Sequence, residues 1–200
     1  ITWVLTGCIV VFILLMPGFV GGVLGFSPFE TTYFQMGGLV CIVSSCWLTG
    51  RLADKHNPST LCILFSAGFA VSSVAFFSLL YTAAPVVSEV VLAYFATCFF
   101  AGIMNFCPIF MCDVFPARIR FSGISFAYNI AYALSGAFTP QLSFALHAYA
   151  KTHPDTLGAM GLSAYIVFLA LVSIGTALAM RRVYKNGGAA VSQMEFRPAP

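Results

Sequence analysis

Residues 60–81 read TLCILFSAGFAVSSVAFFSLLY, a stretch without one charged side chain. A helix needs about 20 predominantly apolar residues to cross a hydrocarbon core of about 30 Å. The stretch is apolar all round and does not alternate with a period of two, as a strand of a membrane barrel does. It therefore predicts a transmembrane helix.

Six stretches of the chain share this character, and they lie at about 1–24, 33–52, 60–81, 86–114, 121–147 and 162–180. The 200 residues are 60% hydrophobic and 8% charged, whereas a soluble domain is typically about 25% charged. A soluble fold of this length could not cover so much apolar surface. We expect an all-α polytopic membrane protein, with six transmembrane helices in one bundle over 1–185 and a disordered cytoplasmic tail over 186–200.

The basic residues indicate how these spans are oriented. Eight of the nine follow an even-numbered span, namely Arg51, Lys55, Arg118, Arg120, Arg181, Arg182, Lys185 and Arg197, and Lys151 is the ninth. The positive-inside rule makes the shared face cytoplasmic. We predict a multi-pass protein of the cell inner membrane whose C-terminus is cytoplasmic.

Several other classes of protein are disfavoured. The net charge of +3 sits in short clusters, so no nucleic-acid partner is expected. The seven cysteines lie in apolar runs without a C-x-x-C pair, which indicates packing residues and neither a disulfide nor a metal site. An intramembrane serine protease needs a serine and a histidine at depth. Here His147 precedes Ser163, the reverse of that family's order, so we expect no enzyme and no cofactor.

Polar side chains at membrane depth are few, and they are Gln35, Asn105, Tyr128, Asn129 and Tyr132. Such residues are costly in lipid and are therefore candidates for function. Two readings remain open from the residues alone. Asn105 and Asn129 either make hydrogen bonds to other helices or line a solute pathway.

Proline and glycine interrupt several spans, at Pro17-Gly18, Gly21-Gly22, Pro108 and Thr139-Pro140. Proline removes a backbone hydrogen bond and bends a helix, while small residues let helices approach closely. Ordinary packing and kinking explains any single site. Several of them in one short bundle favour a transporter, whose helices must rock and bend.

Two loops on the predicted cytoplasmic side carry short motifs. Residues 50–55 read Gly-Arg-Leu-Ala-Asp-Lys, which resembles the first half of the major facilitator signature G-x-x-x-D-[RK]-x-G-R-[RK]; His-Asn-Pro replaces its second half. Residues 113–120 read Asp-Val-Phe-Pro-Ala-Arg-Ile-Arg, which resembles the E-x-F-P-[TS]-x-x-R motif of metabolite:proton symporters, with Asp in place of Glu. The resemblance implies a cytoplasmic gate formed by Gly50, Asp54, Lys55, Asp113, Arg118 and Arg120.

The fifth span sharpens this resemblance. Its order of an I-R-F-S start, an F-A-Y-N-I centre and a G-A-F-T-P-Q-L end, over residues 119–142, is similar to the eleventh helix of proline/glycine-betaine proton symporters. Met-Pro-Gly-Phe at 16–19 resembles the M-P-S-Y of their seventh helix. The resemblance implies the C-terminal half of a major facilitator bundle, whose partners are the lipid bilayer, an N-terminal six-helix half, a small polar solute and a proton.

This family moves osmolytes such as proline or betaine, or small carboxylic acids, by alternating access. The chain begins at Ile1 inside an apolar run, so we expect a fragment. Two alternatives remain. A permease subunit of an ATP-driven importer would carry a longer coupling loop, and a non-transporting scaffold or gene remnant would fit the altered first motif.

Overall fold

The computed structural model describes residues 2–82, 84–152 and 156–195, with side chains described outside 156–159 and 185–195. The chain forms six helices in these ranges. They are α1 Thr2–Leu24, α2 Pro28–Ala53, α3 Pro58–Leu80, α4 Val87–Val114, α5 Arg120–Thr152 and α6 Thr156–Glu195. No strand occurs within the described ranges, so the predicted all-α class is confirmed.

Within the described ranges, five helices are long and apolar enough to cross a membrane, namely α1 to α4 and the Met160–Tyr184 part of α6. The fifth span was predicted at 121–147, and the chain does form a helix there. This helix, α5, has 33 residues but is less apolar than the others. Hydroxyl, amide and imidazole side chains along it lower its hydropathy, so length and composition support five spans and leave α5 as the polar member of the bundle.

Local sequence signals explain where helices begin. The start of α2 is a capping box in which the Ser27 hydroxyl accepts from the Glu30 N–H while the Glu30 carboxylate accepts from the Ser27 N–H at 2.8 Å. Pro28 occupies the first helical position, where no N–H is needed. Asn57 caps α3 in a similar way, accepting from the Ser59 N–H at 2.9 Å. These caps place the start of α2 five residues before the predicted boundary at 33.

Helix α3 packs most extensively on α6 and α4. Phenylalanine rings fill the space between α1 and α3, where Phe12 lies with its ring centroid 5.5 Å from that of Phe69 and 5.9 Å from that of Phe77. All three side chains are fully buried. Because lipid is as apolar as these rings, close packing and not the hydrophobic effect holds the helices together.

Two glycines allow α2 and α4 to cross closely. A Cβ on Gly102 of α4 would lie 2.1 Å from the Ser45 Oγ, and a Cβ on Gly38 of α2 would lie 2.5 Å from the Tyr94 ring. Ordinary carbon contacts begin at about 3.5 Å. Glycine is therefore required at both crossings.

Contacts between neighbouring helix ends define the two ends of the bundle. Tyr184 of α6 donates a hydrogen bond to Asp113 at the end of α4, and Gly50 of α2 adjoins Asn105 of α4. Lys151 instead lies beside Gly22, near the opposite end of α1. The turns that carry most arginines thus share one end of the bundle, while the side of the membrane that this end faces stays a prediction.

The tail predicted as disordered from residue 186 falls partly on α6, whose backbone is helical to Glu195. Residues 196–200 lie outside the described part of the chain.

Candidate solute pathway and gate

Gln35 of α2 donates a hydrogen bond to a backbone carbonyl of α1. Its Nε2 donates to the Ile13 carbonyl oxygen at 2.6 Å. Tyr94 of α4 donates to the adjacent Phe12 carbonyl at 2.9 Å and is itself 1% exposed. Both carbonyls belong to a π-helical turn at Val10–Leu15 in the middle of α1. Gln35 and Tyr94 thus bond α2 and α4 to the middle of α1.

Asn105 makes a similar contact between α4 and α2. It ends a short 3-10 segment, Ala101–Asn105, and its Nδ2 donates to the Cys46 carbonyl at 2.7 Å and the Thr49 hydroxyl at 3.2 Å. The tighter 3-10 winding turns this side chain toward α2. Asn105 and Gln35 thus bond α2 to α4 and α1, and a pathway role for either stays a prediction.

The three predicted residues on α5 lie on the open side of its first half, where Tyr128 is half-buried. The rings of Tyr128 and Tyr132 stack with centroids 5.7 Å apart and an interplanar angle of 19°. Asn129 is exposed and donates to the Ser125 carbonyl of its own helix at 2.7 Å, and Tyr132 is 40% exposed. These side chains therefore form a polar patch that the described helices leave largely open.

Further along α5, the face that carries Tyr128 and Tyr132 becomes buried and holds polar residues that the sequence reasoning did not single out. Ser135, Thr139, Ser143 and His147 recur every four residues and are buried. Thr139 shares a 2.8 Å hydrogen bond with the Tyr165 hydroxyl of α6, which also accepts from the Trp3 indole N–H at 3.2 Å. The four-residue spacing of small polar side chains was the available signal.

His147 joins three helices at the end of the bundle near Lys151. Its Nδ1 lies 2.5 Å from the Tyr81 hydroxyl, just after α3. The imidazole stacks on Phe19 of α1, with centroids 4.1 Å apart and planes at 17°. This junction ties α1, α3 and α5 together at that end.

The predicted gate residues all lie at the other end. Asp54, Lys55 and Arg118 are exposed, and the Asp54 N–H donates to the Gly50 carbonyl at 3.2 Å. Asp113 accepts from the Tyr184 hydroxyl of α6. The sequence had not suggested that contact.

Two arginines near this end have partners that the sequence did not predict. The Arg120 Nε donates to the Phe115 carbonyl at 3.1 Å, which closes the loop between α4 and α5. The Arg51 guanidinium lies 4.0 Å from the centre of the Trp47 ring, a cation–π contact. Trp and Arg pairs of this kind are typical of the membrane interface.

The seven cysteines are free thiols, and no cluster of three metal-ligating side chains occurs among the described residues. Comparison with protein-family models, curated proteins and solved structures finds no match for this chain.

Proposed function

We propose that the protein moves a small polar solute across the membrane, by proton-coupled symport with alternating access. In this proposal the six helices are the C-terminal half of a twelve-helix carrier. The solute passes between this half and an N-terminal half of the same transporter. The chain acts as a carrier and not as an enzyme.

The observation that carries the proposal is the polar open side of α5. Asn129 lies about 14 Å along the helix axis from Arg120, at 1.5 Å per residue, so in the proposed six-span bundle it is well inside the hydrocarbon core. An exposed amide and two tyrosines at that depth are costly against lipid. The cost falls if protein or a water-filled pathway covers this side, which is the arrangement that a second six-helix half provides.

The charge distribution favours a zwitterionic solute. Among the described residues, neither an acidic nor a basic side chain occurs in the middle of a span; the charges sit at helix ends. An anionic solute would gain from a cation near the midplane, whereas betaine or proline can bind to aromatic rings and amides. The stacked pair Tyr128 and Tyr132 offers such rings. A proton-binding carboxylate then belongs to the N-terminal half.

Uptake into proteoliposomes tests the proposal. The chain is reconstituted with its N-terminal half, and uptake of labelled betaine, proline and 2-oxoglutarate is followed under an inside-alkaline proton gradient. We expect gradient-dependent uptake of betaine or proline that a protonophore abolishes, and no uptake by this chain alone. Sustained uptake by the chain alone would show that the second half is not needed.

Paired variants locate the pathway. Asn129→Ala and Tyr132→Ala should each lower uptake at least tenfold, because they remove polar contacts on the open side of α5. Leu171→Ala, on an exposed apolar row of α6, is the control and should retain uptake. Full uptake in both α5 variants would remove this face from the pathway.

A further inference from the structure

In the π-helical turn of α1, Pro17 leaves one backbone carbonyl without a hydrogen-bond donor from its own helix. In an α-helix the N–H of residue 17 would bond to the carbonyl of residue 13, and in a π-helix it would bond to that of residue 12. Proline has no N–H. The α register therefore leaves the Ile13 carbonyl without its helical donor, and the π register does the same to the Phe12 carbonyl.

These are the two carbonyls that other helices satisfy. Tyr94 of α4 donates to the Phe12 carbonyl at 2.9 Å, and Gln35 of α2 donates to the Ile13 carbonyl at 2.6 Å. In lipid, an unpaired backbone group costs several kcal/mol, so an outside donor is needed in either register. The bundle supplies one donor for each.

The outer half of α1, Met16–Leu24, is open on one side, whereas Met16, Phe19 and Val20 on its other side are buried. A groove of about 390 Å³ separates it from the start of α2, and Gly18, Gly21 and Thr31 are among its lining residues. A Cβ on Gly18 would meet no atom within 4 Å. The inner half, Thr2–Ile9, has no such space at Gly7, where a Cβ would lie 2.4 Å from Leu169.

We infer that α1 carries a hinge with two registers at Val10–Leu15, in which Tyr94 and Gln35 satisfy the carbonyl that Pro17 leaves unpaired in each. Passing from the π to the α register winds the turn more tightly and rotates the outer half by about 100° relative to the inner half. This rotation separates Phe19 from His147. Since the donors sit on α4 and α2, a displacement of either helix biases the register. That this hinge moves during transport rests on the proposed function.

Hydrogen exchange tests the hinge without a transport assay. In Gln35→Leu and Tyr94→Phe proteins, peptides covering residues 10–18 should exchange about three- to tenfold faster than in the parent protein, because one donor to the turn is lost. Gln141→Leu and Tyr33→Phe are matched controls at exposed sites and should leave these peptides unchanged. Equal exchange in the Gln35 and Tyr94 variants and in the parent overturns the hinge.

Pro17→Ala provides a test in a variant that is expected to fold. Alanine restores the missing N–H, so the turn settles in the α register and peptides over 10–18 should exchange several-fold more slowly. In this background Tyr94→Phe should lose most of its effect, whereas additive effects would contradict the two-register assignment.

Uptake measurements separate the two proposals. If the exchange results hold and Pro17→Ala slows uptake, the hinge acts in transport. If the parent protein takes up solute but the variants exchange at the parent rate, the transport proposal is supported and the hinge is refuted. If hydrogen exchange changes in the variants as expected but the parent protein with its N-terminal half takes up no solute, the hinge is supported as a local switch and the transport proposal is refuted.

Discussion

Gly102→Ala is expected to destabilise the bundle, because this glycine lies where α4 crosses α2. The added Cβ would meet the Ser45 Oγ at 2.1 Å. Rotating that hydroxyl away leaves the Ser45 Cβ at 3.1 Å and its carbonyl carbon at 3.3 Å, so the helices must still separate. Overpacking of this kind costs about 1–3 kcal/mol. The corresponding fall in melting temperature is about 4–8 °C for a cost near 2 kcal/mol in a chain of this size.

The assay uses the protein's own cysteines. Cys8, Cys62 and Cys98 are fully buried, so a thiol-reactive fluorophore reports unfolding as these side chains become accessible during heating. Gly175→Ala on α6 is the matched control, because its Cβ would meet no atom within 4 Å. Alanine should raise stability there by up to about 1 kcal/mol through helix propensity.

A second substitution checks the cause. Ser45→Gly removes both side-chain atoms that the new Cβ approaches, so the Gly102→Ala, Ser45→Gly double variant should regain part of the lost stability. A Gly102→Ala protein that melts at or above the parent temperature would refute the close crossing. Additive stability losses in the double variant, with no coupling between positions 45 and 102, would also refute the close crossing.

Three further predictions concern hydrogen bonds between helices. Asn105→Ala should cost about 1–2 kcal/mol in thermal unfolding, whereas Asn129→Ala should cost almost nothing, since Asn129 bonds only within its own helix; equal losses would contradict this. A double-mutant cycle with Thr139→Val and Tyr165→Phe should show a coupling of about 0.6–1.7 kcal/mol, and additive losses would contradict their contact. Tyr184→Phe should speed hydrogen exchange at residues 111–115, because it frees Asp113 from α6, while the melting temperature falls by less than about 4 °C; unchanged exchange would argue against that tether.

How much of the candidate site could be predicted differs between residues. Tyr128 and Tyr132 are four positions apart on one helix, so their shared face followed from helical periodicity, and the structure stacks them. The partner of Asn105 could not be predicted in this way. It depends on the 3-10 segment that aims the side chain at Cys46 and Thr49, and nothing in the local sequence marks that segment.

The amino-acid sequence alone determined that this chain consists of membrane-length helices with most of its arginines at one end. The free energy of transferring a segment from water to lipid is the sum over its own residues. A span could therefore be recognised without knowing which helices it contacts. The tertiary structure decided which backbone and side-chain groups meet. Pro17 predicts a missing N–H, but only the packing of α2 and α4 against α1 brings Gln35 and Tyr94 to the carbonyls it leaves unpaired. Such contacts join residues far apart in sequence, and their geometry depends on how all six helices pack together.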